Sequence, residues 1–375
     1  MLTVEPIDPR SQPRVRRFID LPFRLYKNHP QWVPPIVDDI ALMLNKQKHP
    51  FYEHSAADFF IATRDGREVG RIAALENKPY NQYHQTKQAQ FYLFDCENDP
   101  EIAAALFERA FEWARRRGLN RLVGPNGFGP LDGYGILVEG FQHRQMMTMM
   151  NYNYDYYPRL VEGLGFHKEV DFVSCYLGAE AFHLPERVHR IAERIQARGP
   201  LRVKRFASKG ELVRWAGRIG QAYNRAFVNN WEYYPLTERE IKFVVDNIML
   251  VADHRLIKII VDGDEPVGFL FGFPDVSRAL QRTRGRLLPF GIVDLLLEMR
   301  RTKWIALNGM GILPKYQGHG GNALLYSEME KTIREFKFEH ADLTQVAESA
   351  VQMRRDLENV GGKAYKNHRV YARDL

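Results

Sequence analysis

Cysteine is nearly missing: Cys96 and Cys175 are the only two in 375 residues. No disulfide framework can hold such a chain together, and a reducing compartment is expected. Long apolar runs are missing too, since LLPFGIVDLLL is broken by Pro289, Gly291 and Asp294. The opening residues MLTVEPIDPRSQPRVRRF contain no apolar stretch of signal-peptide length. The expectation is a cytoplasmic protein without a membrane partner. There is no concentrated basic stripe and no nucleic-acid reader motif; the 53 basic and 46 acidic residues are interspersed, so the net charge of +7 is weak support for a nucleic-acid partner. Metal chemistry lacks its signatures: there is no His-Glu-x-x-His, the two cysteines are far apart, and His49 and His54 do not match a ligand spacing. A Gly-x-Ser-x-Gly nucleophile elbow is also absent.

What remains is ordinary globular composition, 45% hydrophobic and 26% charged, in a chain long enough for two domains. The first fifty residues are proline-rich and are expected to form a wrapping arm without long regular elements, beyond short helical turns at 24–25 and 36–44. From Asp58 the pattern sharpens. FFIATRDGREVGRIAAL reads as two strands about an Asp65-Gly66 turn, QAQFYLFD as a third, and DPEIAAALFERAFEWARRRG as a helix capped by Asp99 with Pro100 at its first position. The charged helical segment from Gly178 to Gly199 suggests a boundary, giving domains 1–178 and 179–375. After it the order recurs: HRLIKIIVDGDEPVGFLFGF repeats the hairpin, with Asp262-Gly263 as its turn, and TKWIALNGMGIL is the next strand. A helix from Gly321 to Phe336 and the strand ADLTQVAE complete the parallel. Two copies of one α/β unit are expected.

Between that strand and helix stands Gln317-Gly318-His319-Gly320-Gly321-Asn322. The first turn of a helix carries unpaired N–H groups and partial positive charge, and small residues would let a phosphate reach them. A P-loop requires Gly-Lys-Ser/Thr, which Gly321-Asn322-Ala323 does not supply. Gly318 to Ala323 fits a dinucleotide G-x-G-x-x-A spacing, but only 53 residues follow from Ala323 onward, too few for that fold's further repeats.

The third pattern, Arg/Gln-x-x-Gly-x-Gly/Ala, is that of the GNAT superfamily of acyl-CoA-dependent N-acetyltransferases, which Gln317 to Asn322 resembles. LENVGGKAYKNHRVYARDL resembles the superfamily's usual ending, and the whole chain is similar to tandem-GNAT bacterial proteins. The resemblance implies two GNAT-like units, each a twisted mixed, mostly antiparallel sheet flanked by helices. It also implies acetyl-CoA as cosubstrate, its pyrophosphate on Gln317, Gly318, His319, Gly320, Gly321 and Asn322, and its pantetheine along Met310, Gly311 and Ile312. Ser349 falls where the family has an Asn that contacts pantetheine. Transfer would be direct, to a small-molecule amine or an amino group of a larger molecule. Glu348, at the end of its strand, is the candidate base, with Glu232 as a second. Leu357 stands where the family carries a tyrosine acid, so Tyr371, Tyr365 or a tyrosine of the first half would have to act. These departures motivate the alternative of a catalytically silent acyl-CoA-binding module.

The first half places Glu97, Asp99 and Glu101 where phosphate would approach, so it is expected to keep the fold without binding CoA. Tyr152, Tyr154, Tyr156 and Tyr157 are candidates for a substrate-facing wall, or for a purely structural aromatic cluster.

Overall fold

The structure, a computed structural model, describes every residue but 131, 147–149, 183, 229 and 232, and for residue 198 the backbone alone. In chain order the strands are β1 (Leu2–Pro6), β2 (Ala56–Arg64), β3 (Arg67–Glu76), β4 (Gln88–Cys96), β5 (Arg121–Gly124), β6 (Ile136–Glu139), β7 (His167–Gly178), β8 (Leu201–Lys204), β9 (Ile257–Asp262), β10 (Glu265–Pro274), β11 (Trp304–Ile312), β12 (His340–Ala347) and β13 (Lys363–Asp374). The helices are α1 (Gln12–Leu25), α2 (Val37–Leu44), α3 (Lys78–His84), α4 (Pro100–Arg116), α5 (Tyr157–Glu162), α6 (Glu186–Arg198), α7 (Lys209–Ala226), α8 (Glu238–Ile248), α9 (Ser277–Thr283), α10 (Gly291–Arg301), α11 (Gly321–Glu335) and α12 (Val351–Asn359). By their contacts they divide into two compact units. Residues 1–173, 277–295 and 366–375 make the first, and residues 174–276 and 296–365 the second.

In the first unit the strands run β1-β2-β3-β4-β5 with antiparallel pairing until β4 and β5, which are parallel and joined through α4. The chain's last strand then closes this sheet, pairing Tyr371 to Asp374 antiparallel with Gly124 to Arg121. Phe91, Phe107, Phe166, Ile102, Leu106 and Ala110 form the core between the sheet and α4. The second unit repeats the arrangement as β8-β9-β10-β11-β12, again antiparallel except for the parallel pair β11 and β12, joined through α11. A parallel pair requires such a crossover. Ile259, Phe269, Leu324, Leu325 and Met329 are buried here.

Three local readings change. The arm contains a helix of 14 residues, α1, with Pro13 in its first turn, where no N–H is missed, and Pro22 inside it. Pro22 cannot donate to the Phe18 carbonyl four residues back; the buried Arg71 guanidinium does so instead at 2.9 Å, while holding Asp95 at 2.8 Å. The first hairpin turns on Asp65 and Gly66, both at positive φ as predicted. The second turns one residue later, on Gly263-Asp264, with Asp262 already paired to Glu265 and Gly263 taking the positive φ. Finally, the segment 178–199 becomes regular helix only from Glu186, after Pro185.

Candidate functional site

The strand that leads into the glycine-rich loop is irregular at a defined place. β11 pairs with β10 through Met310, Gly311 and Ile312, then slips register before Leu307. Gly309, inside the slip, has a φ of 101°, which a side chain would strain. On its other edge β11 pairs with β12 only from Trp304 to Leu307, against His340 to Leu343. Both strands continue past that point, β11 to Ile312 and β12 to Ala347. The edge of β11 from residue 308 to 312 is therefore not hydrogen-bonded into β12, and a gap opens between two strands that started as neighbours. Gln345 on the β12 side also has a positive φ, 49°, and its N–H is taken by the buried Ser174 hydroxyl at 3.0 Å. Glu348 lies half-buried just past the end of β12, and Ser349 beside it is exposed.

At the mouth of the gap, a short turn at Pro314–Tyr316 delivers the chain to the loop. Gln317, Gly318 and His319 are exposed. The Gln317 side chain folds back and donates to the Ile312 carbonyl at 3.0 Å, which ties the loop to the strand. Helix α11 begins at Gly321 with Gly320 as its cap residue, at a φ of 80° and with no side-chain cap. The first α11 amides to find a carbonyl are Ala323 and Leu324, both on Gly320 at 3.0 and 3.4 Å; those of Gly318 to Asn322 meet no backbone acceptor among the described residues. Five consecutive donors at a helix N-terminus form an anion cradle.

Not every glycine here is open to a ligand. A Cβ on Gly318 would meet nothing within 4 Å, but one on Gly320 would lie 2.5 Å from Ile195 and 2.8 Å from Ile191 of α6. One on Gly321 would lie 2.9 Å from Ile312. Gly320 and Gly321 are small because the chain packs on itself, whereas Gly318 faces open space. Beneath the loop, α11 carries the buried carboxylate of Glu328, held by Arg205 at 2.7 Å and Lys331 at 2.6 Å. Salt bridges and burial compete there, and the pairing holds its pKa below the usual range.

Other candidates fall elsewhere. Tyr371 belongs to the first unit: fully buried in that unit's core, it donates to Glu162 at 2.8 Å, with burial pushing its pKa up. Tyr365 is in the second unit and donates to the buried Asp342 of β12. Leu357, where a family tyrosine would stand, is buried. Glu232 lies outside the described residues. The tyrosines of 152–157 are taken up inside the first unit. Tyr154 donates to Leu25 at 2.6 Å, Tyr156 to Cys96 at 2.7 Å, and Tyr26, Tyr154, Tyr156 and Tyr157 stack in series. Their hydroxyls serve the fold.

Sequence reasoning missed the end of the β11–β12 pairing. Its local signal is the pair Gly309 and Gly311 about Met310; that β12 leaves the strand's other edge after Leu307 follows only from the pairing.

No family model matches the chain. Among solved structures, the tandem GNAT protein from the clavulanic acid biosynthesis pathway superposes with a TM-score of 0.58 at 12% identity, covering 100% of this chain and 98% of that one. A GCN5-related N-acetyltransferase from Sphaerobacter thermophilus does so at 0.51 and 14%, covering 100% and 95%. Among curated proteins, the chain is 25% identical to Protein YghO of Escherichia coli K12 over 96% of its own length and 93% of that protein's. It is 30% identical to the bacterial ceramide synthase of Caulobacter vibrioides over 390 aligned positions, 100% of this chain and 98% of the relative. With the repeated β-sheet unit, the parted parallel strands and this similarity end to end, the chain belongs to the family of that bacterial ceramide synthase and carries the tandem GNAT acyltransferase fold.

Proposed function

We propose that the protein is an acyl-CoA-dependent N-acyltransferase whose second unit carries the reaction and whose acceptor is the primary amine of a long-chain amino alcohol. The observation that carries the reading is the combination, in one unit, of a strand, β11, whose parallel pairing with β12 stops at Leu307 and an uncapped helix start at Gly320. A pantetheine arm has amide groups that suit an open strand edge, and a pyrophosphate suits consecutive N–H donors. The residues present fit an acyl-CoA in these two respects. Gly318 and the amides from Gly318 to Asn322 would hold the pyrophosphate, and Gly309 to Ile312 the pantetheine; Gly320 contributes its N–H while its other face is covered by α6.

In the reaction, the amine nitrogen attacks the thioester carbonyl carbon, the carbon–sulfur bond breaks, and an amide and free CoA thiol result. The amine must first lose a proton, because an ammonium has no lone pair. Glu348, past the end of β12 on the other side of the gap, is the proposed base, and a backbone N–H of Met310 to Ile312 would stabilise the developing oxyanion. The thiolate leaving group takes up a proton, which balances the step. The acceptor class is suggested by the relative named a ceramide synthase, a ceramide being an N-acylated long-chain amino alcohol. The same reading favours a fatty acyl group over acetyl.

Thiol release tests it. Acetyl-CoA and palmitoyl-CoA are each offered with a panel of small amines and with sphinganine. Turnover with palmitoyl-CoA and sphinganine is expected, and in Glu348→Gln a fall of about 10²–10⁴-fold in kcat with CoA affinity kept. Release of thiol only from acetyl-CoA with a small amine would overturn the acceptor assignment. Tight CoA binding without release on any acceptor would overturn catalysis and leave the silent module.

A further inference from the structure

The connection from α9 into α10, residues 277–301, exposes apolar side chains in a way that no other segment of the described residues does. Ten large hydrophobic residues are exposed among the described residues, and five of them fall between 288 and 297: Leu288 (76%), Phe290 (80%), Val293, Leu296 and Leu297. Scattered single apolar residues on a surface need no explanation, but a contiguous group of this size does.

The group is held out on a fixed base. Gly285, at a φ of 68°, accepts from the Val37 N–H at 2.9 Å, and a Cβ there would lie 2.0 Å from the Pro35 carbonyl. Gln281 donates to the carbonyls of Pro30 and Trp32 at 2.8 and 2.9 Å. Arg282 and Asp294 form a two-bond ion pair at 2.8 and 2.9 Å that joins α9 to α10. With both legs of the turn secured, Leu288 and Phe290 at its tip still face away from the protein. Val293, Leu296 and Leu297 continue the exposed apolar face along α10 at helical spacing.

Within the segment the unpaired charge has one sign. Arg278, Arg284, Arg300 and Arg301 are exposed and meet no carboxylate among the described residues. The two acids of the segment do not offset them: Asp294 is paired with Arg282, and Glu298 is buried. An apolar face edged by uncompensated arginines is the pattern of a surface that enters the headgroup region of an anionic bilayer.

We propose that this α9–α10 turn docks the protein peripherally on an anionic lipid bilayer, with Leu288, Phe290 and Val293 below the headgroups and the arginines at them. No spanning helix is needed for such contact, and none of the described helices is long and apolar enough to cross a membrane. A second copy of the chain is a poorer occupant: in a two-fold dimer the patch meets itself, bringing the arginine rims together. The proposal goes beyond acyl transfer and does not depend on it, since docking is read without acyl-CoA.

The test is co-sedimentation of the full chain with vesicles of phosphatidylcholine mixed with phosphatidylglycerol, and with phosphatidylcholine alone. Binding is expected to the anionic vesicles, weakened by salt. It should fall roughly tenfold or more in a Leu288→Ser, Phe290→Ser double variant, and roughly tenfold in Arg284→Gln, Arg301→Gln. All four positions are exposed, and an unchanged Tm confirms that the variants fold. In a Phe290→Trp variant the indole emission should shift to the blue on the anionic vesicles and be quenched by brominated lipid. No sedimentation with anionic vesicles, equal sedimentation of wild type and the apolar double variant, or an indole emission in Phe290→Trp that vesicles leave unchanged would each overturn the proposal. So would light scattering that shows a dimer dissolved by the apolar double variant while vesicles bind neither protein.

Discussion

The two units have the same strand order and the same defect, and differ in what meets it. In the first, β4 slips register against β3 between Arg71 and Ala73, and Leu93 takes a positive φ of 48°. In the second, β11 slips against β10 and Gly309 takes the positive φ. In the first, pairing of β4 with β5 stops at Gln90 and Val123, just as β11 and β12 part after Leu307 and Leu343. The first unit then fills its own gap. Asn126 donates to the Phe91 carbonyl at 2.9 Å, and the Tyr157 hydroxyl accepts from the Cys96 N–H at 2.9 Å. Its helix start is closed as well: Asp99 accepts from the Glu101 N–H at 2.8 Å, and its other oxygen is held by Arg64 at 2.6 Å. The second unit has no side-chain cap on α11. A parted pair of strands is thus a property of the unit; what enters it is decided by the segments around it.

The largest consequence concerns the loop of the second unit. Gly318→Asp and Gly318→Asn place side chains of equal size at a position with open space, and both residue types tolerate a left-handed backbone. Only the first adds a charge beside the proposed pyrophosphate. CoA affinity measured by calorimetry should fall on the order of tenfold to a hundredfold for Asp and by less than about threefold for Asn. In the first unit Glu97→Gln, which removes a carboxylate held by Arg24 and Arg67, should leave CoA affinity unchanged. Equal losses for Asp and Asn would mean that the loop does not hold phosphate.

A smaller effect separates filling from binding. Tyr157→Phe removes the hydroxyl that serves the Cys96 N–H, leaving that buried donor without its partner, while the Tyr26 hydroxyl keeps Asp95 at 3.1 Å. The loss should be about 1–3 kcal/mol of stability by denaturant unfolding, with no change in CoA affinity. Were CoA binding to fall with stability intact, the first unit's gap would be part of the ligand site after all.

What could be read from the sequence was local. The Asp65-Gly66 hairpin, the Asp99 cap of α4 and the strand–glycine loop–helix at 304–335 are each encoded within a few residues, and they fixed the fold and the loop. What could not be read depends on partners distant in the chain. Pro22 argues against a helix until Arg71, 49 positions later, takes the Phe18 carbonyl. Tyr371 follows the second unit in sequence yet packs in the first, because the last strand pairs with β5. Gly320 and Gly321 have the look of ligand-facing residues, but Ile191, Ile195 and Ile312 explain their size. Periodicity cannot show which glycine faces a ligand and which faces a neighbour.

The same pairing logic identifies a residue whose effect is small but has a definite sign. Gly70 pairs with Ala62 and Gly268 with Ile260, so two residues earlier Phe60 in β2 corresponds to Lys258 in β9. The first unit has a core phenylalanine there and the second a buried ammonium, which donates to the Arg255 carbonyl at 2.7 Å and to Thr332 at 2.6 Å. Burial, partly opposed by Glu328, lowers the pKa of Lys258 from 10.5 to about 8. Between those values the unfolded chain binds more protons than the folded one, so stability contributed by this position rises with pH through that window and is lowest below about 8. Lys258→Met should remove the rise and, near neutral pH, stabilise the protein by about 1 kcal/mol. Glu328 keeps Arg205 and Lys331 in that variant and is not left unpaired. Thermal unfolding of both proteins from pH 7 to 10 reads the difference directly. Parallel curves would show that Lys258 keeps its proton across the range and that its buried bonds, rather than its charge state, distinguish it from Phe60.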